Sequence, residues 1–329
     1  HTSLLSSFNK LGYHYFSNAV STSVRTGLTI TSILNLNYVL EDDQIPFQNK
    51  NYPSLMTNFH QTELGNFLTK LNYKFYWLGN SIANCKVYNE TLCLEYKDNN
   101  LVEKKSNFLR VIKSLNYNYL LINYYQKTPI VDILNKLVGK FMEDSTSKNI
   151  AFYENDTINK FINNIDPSKL KKNNTFYFAH VMMPHGYGIN KNPNIYNKDC
   201  SRNSALEKEL VETGAVEKIS SELWGYESNY LCFIKRLKEL TNYINKFDKN
   251  SLVVILSDHG ITTDNQILNM FLMTNLPKDC LASTDGTNLD QVIMMRSVLS
   301  CGTKINFDKI EKKTFIFDEK ENLIKEKKR

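Results

Sequence analysis

Residues 252–260 read LVVILSDHG, five apolar residues followed directly by a polar turn. A short apolar run of this kind is typical of a strand that is buried on both faces of a sheet. The pattern recurs as YKFYWL at 73–78 and as TFYFAHVMM at 175–183, and GYHYFSNAV at 12–20 is interpreted as a strand that leads into a loop. We therefore expect four strands, each ending where polar residues begin.

Helical segments separate these strands. Residues 28–40 carry apolar side chains at helical spacing, and so does the second half of 205–247, in a stripe of Leu231, Ile234, Leu237, Leu240 and Ile244. Strands that alternate with helices predict an α/β fold with a mainly parallel central sheet and helices on both faces. In such sheets ligands bind beyond the carboxyl ends of the strands, which is where the polar turns of this chain lie.

Composition limits the classes of function. The 329 residues are 42% hydrophobic, enough for a substantial core, and we expect one domain over residues 1–308. A lysine-rich segment, 309–329, holds much of the net charge of +6 and is interpreted as solvated surface. No apolar run approaches the roughly 20 residues that cross a bilayer. Basic and aromatic residues do not alternate as in a nucleic-acid groove, so no nucleic-acid partner is expected.

The six cysteines form an even set, which permits complete pairing into disulfides. Cys85 and Cys93 are candidates for a local loop closure. No CxxC pair occurs, which disfavours a structural zinc knot. Buried free thiols in a cytosolic protein remain the alternative.

Side chains that could bind a metal or take part in catalysis lie at the strand ends. Asp258 and His259 offer a carboxylate and an imidazole that can ligate a divalent metal such as zinc, although a polar turn with a capping Asp is the alternative. His180 and His185, at the end of the 175–183 strand, can ligate a metal, hold an anionic oxygen or protonate a leaving group. A satisfied core histidine is the competing interpretation of His180.

The third candidate region is the hydroxyl cluster STSVRTGLT at 21–29. It closes the first strand and opens a helix, so a hydroxyl there lies at the positive helix end, where N–H groups can hold phosphate or sulfate. A nearby metal would favour its ionised form and make it a nucleophile. Ordinary N-capping by Ser and Thr is the alternative.

In this order the motifs resemble those of the alkaline-phosphatase superfamily, in its sulfatase-like branch with the phosphoethanolamine transferases. Residues 18–35 resemble the nucleophile region of that branch and place the nucleophile at Thr26. FAH at 178–180 and PHGY at 184–187 resemble its histidine loop, and VVILSDHG at 253–260 resembles its metal turn. The resemblance implies a sulfatase-like catalytic domain over residues 1–308.

The resemblance further implies a metal-dependent hydrolase or transferase that acts on phosphate esters, in preference to sulfate esters, through Thr26. Asp258, His259 and Thr26 would hold the metal, with zinc preferred over manganese or calcium. His185, with His180, would stabilise the anionic group or protonate the leaving oxygen. The substrate would be an anionic ester such as a lipid or glycan head group. The domain would lie outside the cytoplasm, on the periplasmic or cell-surface side of a membrane that it reaches through a part outside this chain.

Two departures from the pattern matter. The first strand of the branch ends in an acidic metal ligand, and no such strand precedes Thr26 here. Either that strand lies upstream of residue 1 or it has been lost, and its loss would predict a catalytically impaired sulfatase-like protein that acts as a binding module. The sulfatase signature has proline at the position of Ser23, which disfavours formylglycine chemistry.

Overall fold

Helices and strands are mixed along the whole described chain. The structure, a computed structural model, describes residues 2–24, 26–38, 62–79, 91–97, 100–103, 157–164, 174–181, 183–184, 195–215, 226–260, 269–281, 289–317 and 323–328. The described helices are α1 Thr2–Asn9, α2 Thr26–Asn35, α3 Glu63–Lys70, α4 Thr157–Asn164, α5 Ser204–Glu212, α6 Tyr226–Phe247, α7 Lys278–Leu281 and α8 Gln291–Thr303. The described strands are β1 His14–Tyr15, β2 Lys74–Gly79, β3 Thr91–Lys97, β4 Asn100–Glu103, β5 Thr175–His180, β6 Val254–Leu256, β7 Leu272–Thr274, β8 Lys313–Phe317 and β9 Leu323–Lys328.

The chain divides into two units. The first comprises residues 1–74, 82–90 and 244–329, and the second comprises residues 75–81 and 91–243. The domain expected over residues 1–308 stays a prediction. Hydrophobic periodicity identifies individual elements, but the grouping of elements into units depends on long-range contacts.

The three-stranded sheet of the first unit is antiparallel in its described pairings. Its strand order is β1-β7-β6, with Val254 opposite Thr274 and Leu256 opposite Leu272. A mainly parallel sheet was expected, and the parallel pairing that is described, β2 with β3, lies in the second unit. The mixed α/β class therefore holds in its coarse form. Apolar runs report that a strand is buried, whereas the direction of its neighbour depends on residues far away in sequence.

Helix α8 packs on this sheet through a cluster of buried apolar residues, namely Ala19, Met270, Leu272, Leu276, Leu289 and Met294. Its N-cap is Asp290, whose Oδ1 accepts a hydrogen bond from Ile293 N at 2.9 Å. Its C-cap, Lys304, has a left-handed φ of 62° and donates its N–H to Ser300 O at 2.8 Å. The helix is thus held at both ends, and its first turn begins at a defined point.

Helix α2 confirms the helix expected after the hydroxyl cluster, but it is shorter than residues 28–40. It ends at Asn35, because Leu36 takes a left-handed φ of 53°. Leu28 and Tyr38 form a second buried cluster with Val292 and Phe315. Phe315 lies in β8, so the lysine-rich segment 309–329 contributes to the core and is not wholly a solvated tail.

The second unit contains a sheet of order β4-β3-β2-β5. Strand β2 confirms the strand expected at 73–78. Strand β5 confirms the strand expected at 175–183 but ends at His180. Aromatic rings of the two strands pack together, since Tyr76 stacks on Tyr177 with centroids 4.9 Å apart. Helices α5 and α6 account for the helical region expected at 205–247, with residues 216–225 outside the description. Of the predicted α6 stripe, Ile234 and Leu237 are buried, but Leu231 is 38% exposed.

Four cysteines form two disulfides, Cys200–Cys232 in the second unit and Cys280–Cys301 in the first. The closure suggested between Cys85 and Cys93 cannot be compared, since Cys85 lies outside the described residues. Paired cysteines are typical of proteins that fold in oxidising compartments. In the described parts of the chain, no helix has the length and apolar character to cross a membrane.

Candidate active site

The site lies where the amino end of α2 meets the turn after β6, both in the first unit. Thr26 is the first residue of α2, and its Oγ1 donates a hydrogen bond to Oδ2 of Asp258. The two residues are 232 positions apart in sequence. The structure therefore brings together the predicted nucleophile and the predicted metal turn.

The segment that leads into β7 positions both elements. Met270 N donates to Ala19 O at 3.1 Å, just before the hydroxyl cluster begins. Phe271 is bonded twice to Ser257, since Ser257 N donates to Phe271 O and Phe271 N donates to Ser257 Oγ, both at 3.0 Å. The segment before β7 thus lies between two stretches of the chain. One leads into the hydroxyl cluster, and the other leads into the Asp258 turn.

The Asp258-His259-Gly260 turn is ordered by its own hydrogen bonds. His259 N donates to Asp258 Oδ1 at 3.0 Å, and His259 Nδ1 lies 2.8 Å from Gly260 O. A carbonyl oxygen only accepts, so Nδ1 carries the proton in the neutral ring, and Nε2 is the basic nitrogen. This arrangement, with one ring nitrogen bonded to a carbonyl, is usual for a histidine that ligates a metal through the other.

One pair of atoms, on His259 and Asp258, has the spacing of two ligands of one divalent metal ion. His259 Nε2 lies 3.4 Å from Asp258 Oδ2, the oxygen that also accepts the Thr26 hydroxyl. Ligand atoms about 2.0–2.1 Å from a tetrahedral zinc ion lie roughly 3.3 Å from one another. The side chains of His259 and Asp258 are 17% and 23% exposed, so the site can be reached from solvent. Among the described residues no three His, Cys, Asp or Glu side chains form a metal-binding group.

The serines of the hydroxyl cluster have structural roles. Ser21 and Ser23 are fully buried, and Ser21 Oγ lies 2.5 Å from Ser23 O and 2.7 Å from Asp258 O. Its single proton serves one of these carbonyl groups at a time. Thr26 is the more accessible hydroxyl and the one that contacts the Asp258 carboxylate.

No described contact joins Thr26 to either of the two predicted catalytic histidines. His180 is the half-buried last residue of β5, in the second unit. His185 lies outside the described residues. Their roles stay predictions.

Gln291 is a residue of the site that sequence reasoning missed. It is completely buried at the first position of α8, and its Nε2 lies 2.7 Å from Asp258 O, 3.1 Å from Ser257 O and 3.0 Å from Ser21 Oγ. Its Oε1 accepts from Thr22 N at 3.0 Å. The available signal was a glutamine at the head of the apolar run VIMM, because a polar side chain in a buried helix face needs partners.

Next to Gln291, the N-cap Asp290 is buried together with Tyr38. Tyr38 Oη donates to Asp290 Oδ2 at 2.6 Å. Burial raises the pKa of Asp290 to about 6, although the hydrogen bonds from Tyr38 and from the first turn of α8 oppose the change. Burial and the nearby Asp290 carboxylate also raise the pKa of Tyr38 above its ordinary value. The start of α8 therefore contains a carboxyl group whose pKa lies above that of an exposed aspartate.

No protein-family model matches this chain, and no curated protein matches it either. Its function must be inferred from the chemistry of the site.

Proposed function

We propose that this chain is a metal-dependent hydrolase or transferase that acts on phosphate esters, in preference to sulfate esters, through Thr26 as nucleophile. The proposal rests on one observation, which is that the Thr26 hydroxyl and the His259 ring both lie close to one carboxylate oxygen of Asp258. Asp258 Oδ2 accepts the hydrogen bond of Thr26 Oγ1 and lies 3.4 Å from His259 Nε2. A hydroxyl, a carboxylate and a basic ring nitrogen thus meet at one point.

Asp258, His259 and Thr26 would hold the metal ion. Their mixed nitrogen and oxygen donors suit zinc, with manganese or calcium as alternatives. When bound, the ion would favour the ionised hydroxyl of Thr26 and neutralise charge on the ester. Asp258 orients Thr26 Oγ1 through the hydrogen bond that it accepts. The amino end of α2 adds a positive field at the place where an anionic ester would approach Thr26.

Transfer would proceed in two steps. Thr26 Oγ1 gives up its proton to solvent and forms a bond to phosphorus while the bond to the leaving oxygen breaks. The leaving oxygen takes up a proton, the step predicted for His185 with His180. The phosphothreonine then passes its group to water or to an acceptor hydroxyl. We propose an anionic lipid or glycan head group as substrate and a location outside the cytoplasm, on the periplasmic or cell-surface side of a membrane. The two disulfides support an oxidising compartment.

The experiment compares Thr26→Ala with Thr31→Ala in assays with bis(p-nitrophenyl) phosphate and p-nitrophenyl sulfate, with and without added Zn²⁺. Thr31 is a matched control, because it lies on the same helix and its hydroxyl donates to Gly27 O at 2.7 Å. Loss of metal-dependent turnover in Thr26→Ala alone supports the proposal. Equal turnover in both variants removes Thr26 from the mechanism. If the unaltered chain neither binds metal nor turns over either ester, the binding-module alternative takes its place.

A further inference from the structure

We infer that Gln291 is a positioning residue that sets the spacing between Thr26 and the Asp258-His259 metal turn. The inference rests on the proposed function and extends it to a side chain outside the set of metal ligands. Gln291 comes from α8, a third segment of the chain that contributes no ligand of its own.

The contacts of Gln291 join the two halves of the site. Its Nε2 lies within hydrogen-bond distance of Ser257 O and Asp258 O, at 3.1 and 2.7 Å, on the metal turn. The same nitrogen lies 3.0 Å from Ser21 Oγ, and Oε1 accepts from Thr22 N at 3.0 Å, on the loop that leads into Thr26. One amide group therefore bonds to both backbone segments.

The contacts with Ser21 and Thr22 are buried, and those with Ser257 O and Asp258 O are partly buried. Gln291 and Ser21 have no exposed surface, and Thr22 is 1% exposed. A buried carbonyl or N–H that loses its partner costs about 1–3 kcal/mol, so the two segments cannot separate without leaving polar groups unsatisfied. Asp258 and His259 are adjacent in the turn, so a displacement of the Asp258 carbonyl also moves both predicted ligands in it.

Gln291 is itself held at a fixed position. The preceding residue, Asp290, caps α8 and accepts the Tyr38 hydroxyl at 2.6 Å. The following residue, Val292, is buried in the cluster with Leu28 and Phe315. Gln291 lies at a capped helix end, next to a residue that is buried in the core. A side chain held in this way can position a site to the accuracy that metal ligation requires.

The test measures the affinity for Zn²⁺ by competition with a chromophoric chelator, for the full chain and three variants. Gln291→Met keeps the length of the side chain and removes all its hydrogen bonds. Gln291→Glu keeps the acceptor for Thr22 N and removes the donor to the metal turn. Thr274→Val is the control, since Thr274 is also fully buried and donates to a carbonyl of the segment leading into β6, Val253 O, at 2.7 Å. Thermal unfolding of each variant verifies folding.

We expect the Zn²⁺ affinity to fall about 10- to 100-fold in both Gln291 variants, the usual loss when an outer partner of a metal site is removed. Thr274→Val should bind Zn²⁺ as the unaltered chain does. Unchanged affinity in Gln291→Glu, or an equal loss in Thr274→Val, would overturn the positioning role while the proposed function stands. If Gln291→Met does not fold, Gln291→Glu alone decides. If the unaltered chain binds no Zn²⁺, the metal-dependent function and the positioning role both fail.

Discussion

Thr26 donates a hydrogen bond to Asp258 Oδ2 across 232 positions of sequence, and His259 Nε2 lies 3.4 Å from the same oxygen. Neither the amino end of α2 nor the turn after β6 is a site by itself. Their meeting point is partly exposed and contains three donor groups of different chemistry, which is the basis of each of the following predictions about metal binding.

Asp258→Asn should abolish stabilisation by metal. A metal present at about 100 times its Kd raises the free energy of unfolding by about 2.7 kcal/mol when it binds only the folded state. We expect urea unfolding of the unaltered chain to show this gain with Zn²⁺ and Asp258→Asn to show none. Asp248→Asn is the control, because Asp248 is bonded to Ser251 Oγ at 2.5 Å and is not part of the site. An equal gain in both variants would argue against Asp258 as a ligand.

His259 should carry its proton on Nδ1 in the neutral ring. Nδ1 lies 2.8 Å from the carbonyl oxygen of Gly260, which can only accept. Nitrogen-15 chemical shifts of the ring should therefore identify Nε2 as the unprotonated nitrogen, and added Zn²⁺ should shift Nε2 most. His14, an exposed residue of β1, provides the comparison. A proton on Nε2 of the neutral ring would contradict the proposed ligation.

Asp290→Asn should stabilise the chain at neutral pH and change little in acid. Burial raises the pKa of Asp290 to about 6 from 3.8, so its contribution to stability is complete below pH 3.8 and is lost as the pH rises through 6. Asparagine also caps helices and has no charge to bury. The difference in unfolding free energy between Asp290→Asn and the unaltered chain should increase by about 2 kcal/mol between pH 4 and pH 7. A difference that is independent of pH would contradict the raised pKa.

Ser21→Ala should destabilise the first unit by about 1–3 kcal/mol, because Ser21 is fully buried and its hydroxyl bonds with both Gln291 and the metal turn. Ser300→Ala is the matched control. The Ser300 hydroxyl makes an exposed contact with Asn306 Oδ1 at 3.3 Å, and we expect a change below about 0.5 kcal/mol. Urea denaturation of both variants measures the two losses. Equal losses would mean that the Ser21 network contributes no special stability.

Several elements were predictable because their signals are local. The apolar run before Asp258 predicted β6, and the runs at 73–78 and 175–183 predicted β2 and β5, although β5 ends at His180. The periodicity after the hydroxyl cluster predicted α2. The strand direction around β6 was not predictable in this way, because apolar character reports burial and not the orientation of a partner. The end of α2 at Asn35 was missed as well, since Leu36 leaves the helical region without a glycine or proline to mark it.

The amino-acid sequence by itself determined which residues can do chemistry and that they follow strands or begin helices, because periodicity and residue type act over a few positions. Only the tertiary structure decided that Thr26 meets Asp258, that the β6 sheet is antiparallel in its described pairings, and that Gln291 bonds to both segments. Each of these depends on contacts between residues tens to hundreds of positions apart, whose partners no local pattern specifies.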